Sequence, residues 1–125
     1  MANPVGWFEI YVADIERGKA FYQSVFGVEL FELNPGGDEG PVMWAFPWED
    51  NGPGAAGAIC HFEGVEPGNN STLVYFNCED CAVEAARVVA SGGQVVRDKM
   101  SIGEYGFIVL ALDPDGNMIG LHSMA

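Results

Sequence analysis

The sequence predicts an α+β protein built from two β-α-β-β-β units, and three observations carry that prediction. A β-rich run followed by a capped helical pattern opens the chain. The same pattern returns at one fixed offset in the second half, and each occurrence is followed by three short β-rich runs separated by Gly, Pro, Asn and Asp turns.

Trp7-Phe8-Glu9-Ile10-Tyr11-Val12 is the first strand. Phe8, Ile10 and Val12 form an apolar face, while Trp7, Glu9 and Tyr11 form a larger, partly polar one. Asp14 is placed to cap a helix, Ile15, Phe21, Tyr22, Val25 and Phe26 recur at helical spacing as its apolar stripe, and Gly27 can end it in a left-handed residue. Strands near Val28–Leu33, Val42–Trp48 and Ala56–Phe62 follow, punctuated by Pro35-Gly36-Gly37 and Asn51-Gly52-Pro53-Gly54.

Setting Asp80 against Asp14, an offset of 66, lays Leu73–Cys78 on the first strand, Cys81–Ala90 on the helix and Gly93 on Gly27. Strands near Gln94–Met100, Phe107–Leu112 and Asn117–His122 complete the unit, with a tight Asp113-Pro114-Asp115-Gly116 turn before the last. At the units' ends an offset of 61 aligns Gly57–His61 with Met118–His122, which gives the first unit five extra residues, most simply in the Asn51–Gly54 loop. The expected organisation is a single domain, residues 1–125, with units at about 1–64 and 65–125. One helix covers only one face of each unit's strands, so the two uncovered, concave faces are expected to enclose a cleft.

Composition narrows the functional classes. With 18 acidic and 5 basic side chains the formal net charge is -13, which repels nucleic-acid phosphates and anionic membrane surfaces. The opening Met1-Ala2-Asn3-Pro4 shows neither a basic n-region nor an apolar h-region, and no apolar run reaches the roughly 20 residues a bilayer requires. Three cysteines, odd in number and sparse, suit a reducing compartment. The expected location is the cytoplasm, with neither nucleic acid nor membrane as a partner.

Phe8–Arg17, Ala20-Phe21-Tyr22, Phe26-Gly27 and the closing Asp113-Pro114-Asp115-Gly116-Asn117 together resemble the vicinal-oxygen-chelate superfamily, which includes glyoxalases, bleomycin-resistance proteins and extradiol dioxygenases. The resemblance spans nearly the whole chain and implies the two-unit fold and a homodimer. It implies no one reaction, because the superfamily holds isomerases, lyases, dioxygenases, thiol transferases and antibiotic-sequestering proteins. In its metal-dependent members the ligands sit on the first and fourth strands of each unit, at points that fall here on Trp7, Ile59, Leu73 and Gly120. None of these side chains can hold a divalent ion, which requires imidazole, carboxylate or thiolate donors.

Two residues further along those strands stand Glu9, His61, Tyr75 and His122, polar residues expected on the same faces because strand side chains repeat with period two. Glu9, His61 and His122 have the composition of a two-histidine, one-carboxylate iron site and are the candidates for a displaced metal site. The alternative makes Trp7, Glu9, His61, Tyr75 and His122 the contacts for an organic molecule, with Glu104 and Tyr105 of the Met100–Gly106 loop as a lip. In a third reading these side chains simply satisfy one another or a dimer interface.

Cys78-Glu79-Asp80-Cys81 has C-x-x-C spacing, but two acidic residues between the thiols oppose thiolate formation, and the pair reads as small buried or capping side chains. Cys60 reads as core. Glu29, Glu32, Asp38 and Glu39 read as a solvated edge that blocks unwanted strand pairing. The preferred expectation is a small-organic-molecule binder without the standard metal. A metal-dependent lyase, isomerase or dioxygenase at the displaced site, with a divalent metal as cofactor, is the rival, and an accessory or interaction domain the third class. Catalytic residues and turnover stay open.

Overall fold

The computed structural model describes residues 3–34, 37–68 and 71–125. Met1, Ala2, Pro35 and Gly36, which entered the reading of the opening segment and of one turn, lie outside the described residues. The fold is α+β, with order β1 (Val5–Tyr11), α1 (Ile15–Phe26), β2 (Phe31–Leu33), β3 (Val42–Ala45), β4 (Ala56–His61), β5 (Thr72–Asn77), α2 (Cys81–Ala90), β6 (Gln94–Ser101), β7 (Phe107–Leu112) and β8 (Met118–Ser123). Short 3-10 turns lie at Gly37–Glu39 and Gly103–Tyr105. One compact unit is Trp7–Thr72, and the other is Leu73–Ala125 together with the chain's first residues up to Gly6.

In the first unit the strand order is β2-β3-β4-β1, with antiparallel β2/β3 and β3/β4 and a parallel β1/β4 pair. The acidic β2 segment is the edge, as its charges suggested. Helix α1 begins as expected: Asp14 is extended, its carboxylate accepts the Arg17 N–H at 3.1 Å, and Gly27 closes the helix at φ 64°. Its buried contact is made through Gly18. A Cβ there would lie 3.2 Å from Ile59 Cδ1 and 3.3 Å from a Val12 methyl, so the missing side chain lets the helix approach β4 closely.

That approach corrects the apolar stripe expected of α1. Ile15, Gly18 and Tyr22 turn toward the sheet, whereas Phe21, Val25 and Phe26 are 58%, 56% and 63% exposed. Phe21 and Val25 stand three and seven positions after Gly18, on the same side of the helix, yet they are left uncovered.

The second unit has order β5-β8-β7-β6, with a parallel β5/β8 pair and antiparallel β7/β8 and β6/β7. Asp80 caps α2 through the Ala82 N–H and is held by Lys99 at 2.8 Å, which keeps its carboxyl below the usual carboxylate range. Cys81 of α2 is buried against Val109 and Leu121, with Phe76, Cys78, Val88, Val95 and Ile119 packed around them. Asp113 ties the turn before β8 by accepting the N–H groups of Asp115 and Asn117, each at 2.9 Å.

The expected terminator of α2 is displaced by one residue. Ser91 ends the helix and Gly92, at φ 96°, takes the left-handed position rather than Gly93. Gly93 serves packing instead, since a Cβ on it would fall 2.4 Å from the Leu112 carbonyl oxygen.

Strand register separates the faces. In the first unit Glu9 pairs with Ala58 and Ile10 with Ile59, so Glu9, Ala58 and Cys60 share the face away from α1 while Ile59 and His61 share the face of α1. In the second unit Tyr75 pairs with Gly120 and Asn77 with His122. Glu9/Ala58 and Tyr75/Gly120 are therefore equivalent pairs, separated by 49 and 45 positions, and the end of the repeat has an offset of 62. The expected offset of 61 was one residue short. The first unit carries four extra residues rather than five, and three of them lie between Ala45 and Ala58 when that span is set against Leu110 to Gly120.

Gly120 gives a direct test of this register. A Cβ at position 120 would sit 2.1 Å from the Tyr75 ring, so the ring occupies the space a side chain would need. Gly120→Ala should lower unfolding free energy by about 1–3 kcal/mol through overpacking. In a Tyr75→Ala background the same change should cost near zero, as read by guanidinium denaturation of all four variants. An equal cost in both backgrounds would remove the ring as the cause.

Candidate functional site

The unit Trp7–Thr72 supplies the most distinctive polar feature. Glu9 is 3% exposed at the middle of β1. Period-two alternation puts Trp7 and Tyr11 on its face, one on either side of it in the row, and both reach its carboxylate. The Trp7 indole N–H donates to Oε2 at 3.1 Å and the Tyr11 hydroxyl to Oε1 at 2.8 Å. Met43, Ala45, Ala58 and Cys60 form the apolar ground around this group, with Trp7, Tyr11 and Leu33 packed against it. The result is a carboxylate locked in orientation at both oxygens and lodged among apolar and aromatic surface.

His61 is not part of that arrangement. The expectation that it shares the face of Glu9 is corrected by the register, which places it with Ile59 on the opposite side of the sheet. There its Nδ1 donates to the Val12 carbonyl at 3.0 Å and ties the end of β4 to the segment leading into α1. The one-residue error in the repeat caused the misplacement, because a slip of one position exchanges the two faces of a strand.

In the second unit Tyr75 and His122 do share a face, that of Gly120 and away from α2. The His122 Nε2–H donates to the Tyr105 carbonyl, so this ring holds the Gly103–Tyr105 turn in place. Glu104 and Tyr105 are exposed on that turn.

The metal positions of the resembling family do not fit an ion in this chain. The register moves the fourth-strand point of the first unit from Ile59 to Ala58, and neither residue carries a donor. Trp7 and Leu73 offer no ligand atom of the required kind, and the place of a side chain at Gly120 is taken by the Tyr75 ring. The displaced candidates Glu9 and His61 lie on opposite faces. Among the described residues no three His, Cys, Asp or Glu side chains gather in a way that could hold a metal.

The thiols are chemically quiet. Cys60 is fully buried, and burial followed by the nearby Glu9 charge pushes its thiol upward. Cys81 is also fully buried, and its backbone N–H donates to the Ser123 hydroxyl at 3.0 Å. Cys78 is half-buried and its thiol is pushed up to about 11, by burial first and then by the Glu84 carboxylate. At pH 8 a thiol titrating near 11 is about 0.1% thiolate, so iodoacetamide should modify Cys78 in the native protein roughly 100-fold more slowly than an ordinary cysteine. Peptide mapping after timed alkylation checks this. Fast native labelling at Cys78 would overturn the assignment, while labelling in denaturant controls for the reagent.

Comparison with known proteins agrees with the two-unit reading. No curated protein sequence matches the chain. Among solved structures, a variant of methylmalonyl-CoA epimerase of Streptomyces coelicolor in complex with 2-nitronate-propionyl-CoA is similar at 21% identity, with 100% of this chain and 99% of that one covered and a TM-score of 0.66. Methylmalonyl-CoA epimerase from Mycobacterium tuberculosis is 18% identical over 98% of this chain and 88% of its own, with a TM-score of 0.64. A hypothetical protein from Bacillus halodurans reaches a TM-score of 0.70 at 11% identity, covering 98% of this chain and 95% of its own. At these identities the likeness speaks for the fold alone. A family model described as Glyoxalase/Bleomycin resistance protein/Dioxygenase superfamily matches residues 5–121. With the β-α-β-β-β order present in both halves and the match spanning nearly the whole chain, the protein belongs to the glyoxalase/bleomycin resistance protein/dioxygenase superfamily.

Proposed function

We propose that this superfamily member binds a small organic molecule, without a metal at the family's ligand points, through the Glu9 face of the Trp7–Thr72 unit. The observation that supports the reading is the fixed carboxylate: Glu9 is buried and oriented by Trp7 and Tyr11 among apolar side chains. A carboxylate can accept about four hydrogen bonds, and one held in a fixed orientation gives a ligand N–H or O–H an acceptor already aimed. The Trp7 ring, packed edge-on against Trp48 at 5.8 Å, adds flat apolar surface beside it. Tyr75, Glu104 and Tyr105 are the corresponding candidate contacts of the second unit, and His122 acts there by holding the Gly103–Tyr105 turn.

The proposal includes a homodimer and a cytoplasmic location. Exposed Phe21, Val25 and Phe26 on α1 give the chain an apolar surface of the kind that associates, and three free thiols suit a reducing compartment. No helix among the described residues is long and apolar enough to cross a membrane.

A thermal-shift screen of hydrogen-bond-donating organic molecules, in buffer stripped of divalent ions, tests the function. A hit should raise the melting midpoint by mass action on the native state. Glu9→Gln, folded as judged by circular dichroism, should weaken that hit about tenfold by calorimetry, because hydrogen bonds to a charged acceptor are worth about 1.5–3 kcal/mol. An unchanged affinity in Glu9→Gln removes Glu9 as the anchor. A broad library with no hit removes the small-molecule reading in favour of an interaction domain. For the dimer, light scattering should give twice the chain mass, falling toward one chain mass in Phe21→Ser/Phe26→Ser. A wild-type monomer would discard it.

A further inference from the structure

The β3–β4 connection folds back on itself and borders a half-open hollow of about 280 Å³. It is lined by Phe8, which forms its floor, by Phe46, Trp48 and Glu49, and by the segment from Gly52 to Gly57. The floor lies on the sheet face opposite Glu9, because Phe8 pairs with Gly57 and both alternate away from Glu9 and Ala58. The hollow's floor is therefore on the other face from Glu9, while Trp48 of its rim packs 5.8 Å from Trp7 on the Glu9 side.

Several features make it a built shape. Gly57 is required by the floor: a Cβ there would lie 2.4 Å from the Phe8 ring. Phe46 stands 5.9 Å from Phe8, tilted by 36°, and is backed edge-on by Tyr22 at 5.7 Å. The rim is turned by a Gly52 N–H to Glu49 carbonyl bond of 3.1 Å, with Asn51 in the left-handed region at φ 64°. The Trp48 indole is fastened by its N–H to Asp50 at 3.3 Å and by ring packing on Phe31 at 5.2 Å. Three of the four residues by which the first unit exceeds the second fall in this connection, and its counterpart before β8 is only the tight turn tied by Asp113.

The lining chemistry selects a ligand class. Phe8, Phe46 and Trp48 present aromatic rings, and Glu49 is the sole charged side chain of the lining. Ring faces and a carboxylate both attract a cation, and a chain of formal charge -13 concentrates cations at its surface. A volume of about 280 Å³ is at the small end for ligand sites and suits one or two rings. We propose that this hollow is a second binding site, for a small aromatic amine whose ring lies against Phe8 and Phe46 and whose ammonium meets Glu49.

The test is a titration of ¹⁵N-labelled protein with 2-phenylethylamine, cationic at pH 7, against 2-phenylethanol, its uncharged analogue. The expected result is saturable movement of the Trp48 indole and of the Glu49, Gly52 and Gly54 amides. Affinity should be at least fivefold weaker for the alcohol and at least fivefold weaker for the amine in Glu49→Gln. Glu49 is exposed, so this variant should keep its fold and can be checked by its unshifted remaining amides. Non-saturable shifts, equal affinity for amine and alcohol, no loss in Glu49→Gln, or movement centred on the amides of Glu9 and Tyr11 would each overturn the proposal.

Discussion

Parallel pairing of the first and last strand of each unit is the constraint on which the other features of this protein depend. β1 lies on β4 with Glu9 opposite Ala58, and β5 lies on β8 with Tyr75 opposite Gly120. Because side chains alternate with period two, each register decides at once which residues meet a helix and which form the other face. It sends Ile59 to Gly18 of α1, gathers Ala58 and Cys60 around Glu9, and turns His61 away from them. No local feature of β4 could have produced the same sorting.

The two equivalent pairs solve the same packing problem with different chemistry. In the second unit an aromatic ring fills the volume left by a glycine, a contact that carries shape but no charge. In the first unit a carboxylate stands at that position. Burying a carboxylate is costly unless hydrogen bonds replace lost water, and Glu9 accepts them from Trp7 and Tyr11 on its own strand. The charge is felt by its neighbours as well: after burial, Glu9 is the second cause that raises the Cys60 thiol. A buried charged group is weak evidence for stability, and that is the physical ground on which a binding role for Glu9 is proposed.

Helix α1 and the β3–β4 connection are linked through the close approach at one small residue. Gly18 draws α1 onto β4 in a seam with Ile15 and Tyr22, while Phe21 and Phe26 stand at the surface. Tyr22, placed by that seam, supports Phe46, which forms a wall of the hollow. The Lys19 ammonium lies 3.5 Å from the centre of the Trp44 ring and also meets Glu16 at 3.3 Å, closing the same side of the unit with a charge balanced locally.

Much of the architecture was legible in the residues alone. Asp14 and Asp80 marked both helix starts, Gly27 marked one helix end, and the Asp113–Gly116 turn and the bounds of α2 and β7 follow from short-range chemistry in which every partner is within a few positions. The family and its α+β fold followed from the same signals. What sequence could not supply was the register between strands some 49 and 45 positions apart, and with it the face on which His61 lies, the closeness of Tyr75 to Gly120 and the exposure of Phe21 and Phe26. Those depend on long-range pairing and on the distance between helix and sheet. One residue of register exchanges faces without altering composition or periodicity, so only the tertiary structure could decide them.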